Sequence, residues 1–396
     1  MKVLLLANYD GDGQESMQRF AACMARGLGQ AGHEARIVRP PSLLGRLYRS
    51  GEGLGKWLGY CDKFIAFPLF LKSAIKWADV VHICDHANSF YTKYLRSVPN
   101  VVTCHDLLAV RSALGEIAQN PTRWTGRQLQ RMILNGLTRA QHVACVSDAT
   151  RRDLSRLSGL TEQRISRVDN SLHFPFSQMP EPEALARLRL LSPNLSRPFL
   201  LHVGGNQWYK NRLGALRIFF RLRKLVSDPA FKLVMVGKPW TAEMRRFVYE
   251  NNMSEVTLEL TAATDEDLQA LYSTASMMLF PSLQEGFGWP IIEAQACGCP
   301  VATSKRSPMV EVAGDAGIFI DPEDPESAAF IVQQALANGA GRREASLANA
   351  ARFRSGMVAS YLALYNRLCT EKKPGWAGEP NKSMARPSIC ATSGGQ

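Results

Sequence analysis

Short apolar runs alternate with longer amphipathic stretches along most of the chain. In the first half the apolar runs fall at residues 2–8, 34–39, 79–84, 100–104, 142–146 and 164–168. Several are rich in β-branched residues and nearly continuous in hydrophobicity, which is typical of interior strands of a parallel sheet. An amphipathic stretch at residues 14–30 predicts a helix between the first two runs. The chain therefore opens as a β-α-β unit.

The same alternation starts afresh in the second half. Its predicted strands are at residues 199–203, 231–236, 256–260, 277–280, 300–303 and 317–320. Its predicted helices are near residues 211–226, 241–251, 265–274, 290–297 and 325–338, with a further helix at about 356–368. Strands that alternate with helices in this way predict an α/β fold, here with two doubly wound domains.

Composition supports two domains and helps to place their limits. A chain of 396 residues is too long for one ordinary hydrophobic core. We predict a first domain at 1–175, a second domain at 198–350 and a terminal helix at 351–371. The segment 176–197 is rich in Pro and Ser and is predicted to be a linker that contains a short helix. Residues 372–396 are rich in Pro, Gly and Ser and are predicted to be disordered.

The net charge of +12 indicates an anionic partner, which could be nucleic acid, an acidic membrane surface or a phosphorylated substrate. No recognisable nucleic-acid motif is present, so a nucleic-acid partner is not expected. The nine cysteines form no extracellular framework, and no apolar run is long enough to span a bilayer. We therefore expect a cytoplasmic protein, with peripheral attachment to the inner face of the plasma membrane as a further hypothesis.

Residues 42–77 differ from the rest because basic and aromatic residues are interleaved there with few acidic ones. Such segments suit an anionic membrane surface. The alternative is a pair of ordinary helices packed on the sheet, with solvated lysines.

A candidate ligand site lies in the stretch 279–301, LFPSLQEGFGWPIIEAQACGCPV. An apolar run is followed by a Gly-rich loop with Gly286 and Gly288, and then by a predicted helix. The unpaired N–H groups of a helix N-terminus bind anions, and glycines let the backbone approach a ligand closely. Glu285 and Glu293 add carboxylates that can accept hydrogen bonds from a sugar diol. N–H groups that bind phosphate, together with carboxylates that accept from hydroxyls, indicate a nucleotide-sugar as the ligand.

A second candidate stretch is 202–212, HVGGNQWYKNR, where a strand ends in Gly204 and Gly205. Lys210 and Arg212 lie at the start of the next predicted helix, where cations are unfavourable unless an anion lies between them. A diphosphate would satisfy this arrangement. The alternative is two solvated surface cations.

Polar residues also follow the interior strands of the first half. His105 and Asp106 come directly after one strand, and Ser147 comes directly after the next. In open α/β sheets ligands bind outside the carboxyl ends of the strands, so these residues are site candidates.

The opening turn contains Gly11 and Gly13 but lacks the third glycine of the dinucleotide fingerprint, because Ser16 takes that position. We expect this turn to let substrate approach the first helix. Two D-x-D matches, at 10–12 and 265–267, are too weak to predict a metal site.

The motifs in these stretches resemble those of the retaining glycosyltransferases of family 4, also called group 1. Glu285-Gly-Phe-Gly-Trp-Pro-Ile-Ile-Glu293 is similar to the family's E-x7-E motif, and the Gly-Gly…Lys-Asn stretch at 204–211 is also similar. The resemblance covers most of residues 1–370. It implies a GT-B fold, in which two Rossmann-like domains face each other across a cleft and the last helix crosses back to the first domain. The first domain would bind the acceptor and the second the nucleotide-sugar.

The resemblance also implies roles for individual residues. Lys210 would neutralise the diphosphate, Glu293 would hold the ribose hydroxyls and Glu285 would contact the transferred sugar. Phe287 and Gly288 would present backbone N–H groups, and His105 would lie close to the reacting centre.

The sequence departs from the family pattern in one respect. Many members carry an Arg shortly before the Lys, whereas this chain has Gly205, Asn206 and Tyr209 at those positions. Either Arg212 supplies the second positive charge or phosphate binding is weaker than usual.

The expected activity is transfer of a sugar, with retention and without a metal or cofactor, from a UDP- or GDP-sugar. The acceptor would be a saccharide or a lipid-linked molecule in the assembly of cell-surface polysaccharide or lipopolysaccharide. The alternative is a catalytically idle GT-B subunit that binds nucleotide-sugar or scaffolds a complex.

Overall fold

A computed structural model describes residues 1–43, 54–195, 198–337 and 341–371, with the backbone alone for 54–57. The predicted disordered tail at 372–396 lies outside these residues. So do residues 44–53 of the basic and aromatic stretch and residues 196–197 of the predicted linker.

Within the described residues, twelve strands form two separate parallel sheets of six strands each. The first sheet contains β1 (Lys2–Leu6), β2 (Glu34–Val38), β3 (Val80–Ile83), β4 (Asn100–Cys104), β5 (His142–Cys145) and β6 (Ile165–Arg167). The second contains β7 (Phe199–Val203), β8 (Lys232–Val236), β9 (Thr257–Leu260), β10 (Met277–Phe280), β11 (Val301–Ser304) and β12 (Gly317–Ile320). The spatial orders are β2-β1-β3-β4-β5-β6 and β12-β11-β10-β7-β8-β9. The two predicted doubly wound sheets and all of their predicted strands are confirmed.

Helices cover both faces of each sheet. Those of the first half are α1 (Glu15–Gln30), α2 (Leu54–Cys61), α3 (Phe67–Ile75), α4 (Leu108–Ala113), α5 (Trp124–Arg139) and α6 (Asp148–Ser158), with a π-helical turn at Asp62–Ala66 and a 3-10 segment at His86–Tyr94. The connecting segment carries α7 (Glu181–Leu191). Those of the second half are α8 (Arg212–Leu222), α9 (Ala242–Glu250), α10 (Asp265–Thr274), α11 (Trp289–Ala296), α12 (Met309–Ala313), α13 (Pro325–Ala337), α14 (Arg342–Ala351) and α15 (Met357–Thr370).

The last helix, α15, packs on the first sheet rather than on the second. Its Tyr361 hydroxyl lies 2.6 Å from the hydroxyl of Thr103 on β4. One turn later the Tyr365 hydroxyl lies 2.6 Å from Nδ1 of His82 on β3. Buried tyrosines need a hydrogen-bond partner, and both find one inside the first domain. The predicted return of the last helix is therefore confirmed.

The segment predicted to be a linker is more ordered than its composition indicates. Phe176, Met179, Leu188 and Leu195 are buried in a core that they share with the second sheet. Helix α7 packs against α10 of that sheet. Apolar residues lie between the Pro and Ser residues of this segment and pack into the second core. Most of 176–195 is therefore part of the second half rather than a flexible linker.

The part of the basic and aromatic stretch that the structure describes is helical, with α2, the π-helical turn and α3 following one another without a break. Phe67 and Leu71 of α3 are buried against the first sheet, whereas Ile65, Leu69 and Phe70 are exposed. Within the described ranges, no helix is both long enough and apolar enough to cross a membrane.

Candidate active site

The centre of the second sheet creates a crevice at the carboxyl ends of its strands. Strands β7 and β10 are neighbours, and the chain leaves them toward opposite edges of the sheet. Open α/β sheets bind ligands at such topological switch points. The loops that follow β7 and β10, at 204–210 and 281–288, lie within the two stretches singled out in the sequence, 202–212 and 279–301. The fold therefore brings the two predicted half-sites together.

Lys210 and Glu285 meet at this switch point. The Lys210 Nζ atom lies 2.7 Å from Oε1 and 2.9 Å from Oε2 of Glu285. Their side chains are 17% and 7% exposed, so the ion pair is largely screened from water. The backbone also joins the two loops, because Leu283 N–H donates to Tyr209 C=O at 2.7 Å. A charge pair at a crevice can exchange its internal partner for charged or hydroxyl groups of a ligand.

The loop after β10 ends at the N-terminus of α11. Gly288 is the residue before the helix and has φ 104°, a left-handed conformation that strongly favours glycine. Phe287 turns inward and packs on Phe353, with ring centroids 5.8 Å apart. Phe287 therefore anchors the loop through its side chain, so that a contact with a ligand would have to come from its backbone.

The same loop touches the first domain. A side chain at Gly286 would overlap the carbonyl oxygen of His105, so the backbones of the two domains meet at this point. Burial raises the pKa of Tyr209, and the nearby carboxylates Glu285 and Asp106 raise it further. These two carboxylates belong to different domains. The predicted site elements thus face each other across one cleft.

His105 is buried at the tip of β4, where its Nε2 lies 2.9 Å from the carbonyl oxygen of Cys84. Nε2 must carry the proton to donate to a carbonyl, so the neutral ring has Nδ1 as an acceptor. Burial lowers the pKa of His105, which favours this neutral form. Phe20 packs edge-on against the ring at 4.9 Å and restricts its orientation.

Two family models match complementary parts of the chain. "Glycosyltransferase Family 4" matches residues 17–173, and "Glycosyl transferases group 1" matches residues 191–354. Together they include both strand-tip regions of the cleft. The chain belongs to the group 1 glycosyltransferases, family 4.

Relatives of this glycosyltransferase include several mannosyltransferases. It is 30% identical over 223 residues to O-antigen chain mannosyltransferase B of Escherichia coli, a match that covers 56% of this chain and 58% of that protein. It is 24% identical over 329 residues to the serotype-specific mannosyltransferase WbdA of E. coli, over 39% of that protein's length. A GDP-mannose:cellobiosyl-diphosphopolyprenol alpha-mannosyltransferase of Xanthomonas oryzae is 24% identical over 80% of this chain and 82% of its own length. The chain thus spans less than two thirds of each of the two E. coli proteins.

Solved structures show the same GT-B fold. A sucrose-phosphate synthase from Thermosynechococcus elongatus superposes with a TM-score of 0.72 over 94% of this chain and all of that one, at 18% identity. WaaG, a glycosyltransferase involved in lipopolysaccharide biosynthesis, gives 0.67 over 93% of this chain and 99% of its own, at 16% identity.

The second glutamate of the glycosyltransferase motif, Glu293, is not in contact with the Lys210 pair. It lies on α11 and is 5% exposed. Its Oε2 accepts a hydrogen bond of 3.0 Å from the Tyr272 hydroxyl, and its Oε1 lies 3.5 Å from Nδ1 of His173. Burial raises the pKa of Glu293, while His173 and Tyr272 oppose this shift. Its role toward ribose stays a prediction.

Arg212 does not stand beside Lys210 as a second exposed cation. It is 4% exposed and donates from Nη1 to Asn206 Oδ1 and, at 2.6 Å, to the carbonyl oxygen of Lys238. Its Nε and Nη2 are buried without a hydrogen-bond partner. Burial lowers the pKa of Arg212. The guanidinium therefore holds the loop after Gly204 and Gly205 through its bond to Asn206. The predicted contact of Arg212 with the donor stays a prediction.

The remaining predicted residues have local roles in the described structure. Gly13, with φ 62°, ends the 3-10 turn that contains Gly11 between β1 and α1. Ser147 is buried and caps α6, because its hydroxyl accepts from Thr150 N–H at 3.1 Å. Asp106 accepts from Leu108 N–H at 2.9 Å. Their roles toward donor or acceptor stay predictions.

The two D-x-D matches are also accounted for locally. Asp10 and Asp12 form ion pairs with Arg39 and Lys63. Asp265 starts α10, and Thr264 and Asp267 form a capping box there. In the part of the chain that the structure describes, no group of His, Cys, Asp or Glu side chains is arranged to hold a metal ion.

Two contacts between the domains were not predicted. Trp289, at the start of α11, donates from Nε1 to Ser171 C=O at 3.2 Å, and its ring lies 6.5 Å from that of His105. Glu311 of the second domain accepts from Asp148 N–H at 3.0 Å and lies 3.4 Å from Nη1 of Arg167. The identity of Trp289 inside the E-x7-E motif was visible in the sequence, but nothing there indicated its partner.

A polar network at the tips of β1 and β3 was also missed. Asn8 Nδ2 donates to Asp85 Oδ2 at 2.5 Å, and Asn88 Nδ2 donates to Asn8 Oδ1 at 3.1 Å. Nδ1 of His86 lies 3.0 Å from Asp85 Oδ1. The polar residues after β3 were the available signal, since they occupy the same edge of the sheet as His105.

Proposed function

We propose that this chain is a retaining glycosyltransferase that transfers a hexose from a nucleotide diphosphate sugar to a saccharide or lipid-linked acceptor. The observation that carries the proposal is the Lys210–Glu285 pair at the switch point of the second sheet, directly opposite His105. The second domain would bind the donor and the first the acceptor. Relatives named as O-antigen mannosyltransferases make cell-surface polysaccharide the expected product and mannose the first sugar to test.

In this proposal the donor takes over the charges of the ion pair. The diphosphate approaches Lys210 and the N-terminus of α11, which together offer a cation and unpaired N–H groups. Glu285 is then released to accept hydrogen bonds from the sugar hydroxyls. The leaving diphosphate gains negative charge in the transition state, so fixed positive groups at this position lower the barrier.

His105 would contact the sugar close to the reacting carbon. Its neutral ring, held by Cys84 and Phe20, offers Nδ1 to a sugar hydroxyl without adding a charge. The cleft opens toward Asp106 and the tips of the first sheet, where the acceptor hydroxyl would enter. With retention, that hydroxyl attacks the face from which the diphosphate leaves, and a phosphate oxygen can take its proton. No protein base and no metal ion are required by this scheme.

The test is transfer of label from GDP-[14C]mannose, UDP-[14C]glucose and UDP-[14C]galactose to a bacterial lipid extract. We expect one donor to give labelled product, with the anomeric configuration of the donor by NMR, at an unchanged rate in EDTA. Donor binding without transfer from any donor would instead indicate the idle GT-B subunit. Inversion at the anomeric carbon would contradict the retaining mechanism.

We also propose that the first domain docks on an anionic membrane through α3 and α5. Both helices pack on the same face of the first sheet. Ile65, Leu69 and Phe70 are 66%, 67% and 57% exposed, and Trp124 and Met132 on α5 are 72% and 40% exposed. Helix α5 contains several arginines and no acidic residue. Apolar side chains among cations suit the boundary of an anionic bilayer.

Sedimentation with vesicles tests this surface. We expect the protein to sediment with phosphatidylglycerol vesicles but not with phosphatidylcholine vesicles. Exchange of Ile65, Leu69 and Phe70 for Ser should abolish sedimentation. Leu190→Ser is the control, because Leu190 on α7 is 87% exposed but lies outside the surface. Equal sedimentation with both lipids would contradict the charge-based part of the proposal.

A further inference from the structure

His173 lies where the chain passes from the first domain to the second, between β6 and α7. Its side chain is 5% exposed. Arg26 of α1 donates to its carbonyl oxygen at 2.7 Å, and the ring of Trp289 lies 5.9 Å away at a T-shaped angle. The backbone and the ring of His173 are therefore held by elements from both sides of the cleft.

The imidazole of His173 is placed between two carboxylates. Its Nε2 lies 3.4 Å from Asp265 Oδ1, and its Nδ1 lies 3.5 Å from Glu293 Oε1. Arg19 of α1 closes the group, with Nη1 3.4 Å from both His173 Nε2 and Asp265 Oδ1. The result is a chain of polar groups that runs from the partly exposed Asp265 through His173 to the buried Glu293.

Nδ1 of His173 has no hydrogen-bond partner although it is buried. Buried polar atoms are nearly always paired, and an unpaired one calls for an explanation. The atom faces Glu293, the second glutamate of the E-x7-E motif, at a distance just beyond a normal hydrogen bond. A small movement of either side chain would complete the contact.

We propose that His173 is a positioning residue, which holds Glu293 as an ionised acceptor for the cis-diol of the donor ribose. The inference rests on the proposed function, since it assumes that Glu293 meets the nucleotide. Tyr272 already occupies Oε2 of Glu293. His173 would orient the carboxylate from the Oε1 side, so that the remaining lone pairs point toward the diol.

The electrostatic balance at Glu293 supports this assignment. Burial raises the pKa of Glu293, and the neighbouring His173 is the strongest influence that lowers it, ahead of Tyr272 and Arg19. Asp265 acts in the opposite direction, and Cys297, the residue that follows α11, is a further titratable neighbour. Without His173 the carboxyl would be protonated at higher pH, and a protonated carboxyl is a poorer acceptor for two hydroxyls.

Calorimetric binding of GDP and UDP, compared with their 2′,3′-dideoxy counterparts, tests the inference. For the wild-type protein we expect the nucleotide that binds to be preferred over its dideoxy form by about tenfold or more, as for hydrogen bonds to a charged group. In His173→Gln this preference should fall to about twofold or less. The loss in affinity for the ribonucleotide should be larger at pH 6 than at pH 8.

Two further variants separate positioning from folding. Asp265→Asn removes the carboxylate on the outer side of His173, and its side chain is 24% exposed, so it should fold. The ribose preference should fall more weakly than in His173→Gln, because His173 is held less firmly. The loss should not grow at pH 6, since Asp265 raises the pKa of Glu293. His142→Gln is the control, a buried histidine of β5 with Nε2 2.9 Å from Ser166 Oγ. It should leave the preference unchanged.

The outcomes are distinguishable. Equal losses for ribonucleotide and dideoxynucleotide in both His173→Gln and Asp265→Asn would overturn the inference and leave His173 a structural residue. A wild-type protein that binds ribonucleotide and dideoxynucleotide equally would overturn it as well, because Glu293 would then not meet the diol. A wild-type protein that binds neither nucleotide would instead contradict the proposed donor site.

Discussion

Each sheet has a topological switch point at the cleft, but the two switch points carry different polar side chains. In the first sheet, between β1 and β3, the Asn8 side chain donates to Asp85 and accepts from Asn88, so its polar atoms find their partners within the protein. In the second, between β7 and β10, Lys210 and Glu285 pair as charges beside a glycine loop and a helix N-terminus. The first network holds its loops in place through bonds within the protein. In the second, Lys210 and Glu285 can exchange their bond to each other for bonds to a ligand. This difference is consistent with the proposed division of roles, in which the donor binds in the second domain.

The largest effect is expected from removal of the Lys210–Glu285 ion pair at the switch point of the second sheet. Lys210→Ala and Glu285→Ala should each lower kcat/KM by about two or more orders of magnitude, since each removes electrostatic stabilisation of the transition state. Steady-state transfer of labelled sugar is the measurement. Arg221→Ala is the control, because the Arg221–Glu326 pair is exposed and remote.

The double variant Lys210→Met with Glu285→Gln sharpens this prediction. A single truncation leaves a largely buried charge without its partner, whereas the double variant removes both charges. We expect thermal stability to recover in the double variant while activity stays low. Recovery of activity together with stability would show that the pair is structural.

Gly286→Ala tests the contact between the two halves. A methyl group would overlap the carbonyl oxygen of His105, so the loop or the domain must shift. We expect kcat/KM to fall by about ten- to a hundredfold, because small displacements of reacting groups are costly. Gly29→Ala is a matched control on α1, where open space surrounds the position, and it should be neutral or slightly stabilising.

Asn8→Ala tests the first switch point. Asp85 and Asn88 would lose a buried partner, which should lower the free energy of unfolding by about 1–3 kcal/mol. Nucleoside diphosphate affinity should change by less than about twofold, since the donor would bind in the other domain. Asn135→Ala, at an exposed position of α5, is the control for the stability measurement. A large loss of nucleotide affinity in Asn8→Ala would contradict the division of roles between the two sheets.

Low pH should reduce the stability of the two domains by different amounts. Burial lowers the pKa of His82 to about 3 and that of His142 to about 4, both in the first domain, and Arg367 and Arg164 add to the shift at His142. In the second domain burial lowers the pKa of His202 to about 4. Each of these histidines is neutral when folded and binds a proton only when unfolded. The stability they contribute is therefore complete above pH 6.5 and is lost as the pH falls toward 4.

Burial also lowers the pKa of His105 in the first domain, so the first domain should lose stability more steeply than the second as the pH falls below 6.5. His86 acts with the opposite sign, because the Asp85 carboxylate raises its pKa against the effect of burial. Hydrogen exchange at pH 7 and pH 5, resolved by peptide, would measure the difference. His142→Asn should reduce the difference in acid sensitivity between the two domains. Equal loss of protection in both sheets would contradict the prediction.

Much of this arrangement could be predicted from residues alone. The strands were found because each is a short apolar run that must be buried on both faces, a local property of the chain. Glu285, Lys210 and His105 were found because they follow strands, and parallel strands bring their carboxyl ends to one edge. The role of Arg212 stayed open, because its position in the chain does not show whether its guanidinium turns toward the cleft or under the loop.

The sequence by itself determined the strands of the two sheets and the family, since hydrophobic period and motif spacing are local signals. Tertiary structure decided which charges meet. It put Lys210 on Glu285, turned Arg212 inward, brought His173 between Asp265 and Glu293, and packed the Pro-rich connection into the second core. Each of these depends on distances between segments far apart in the chain, and burial there decides which polar groups pair and which remain available for a ligand.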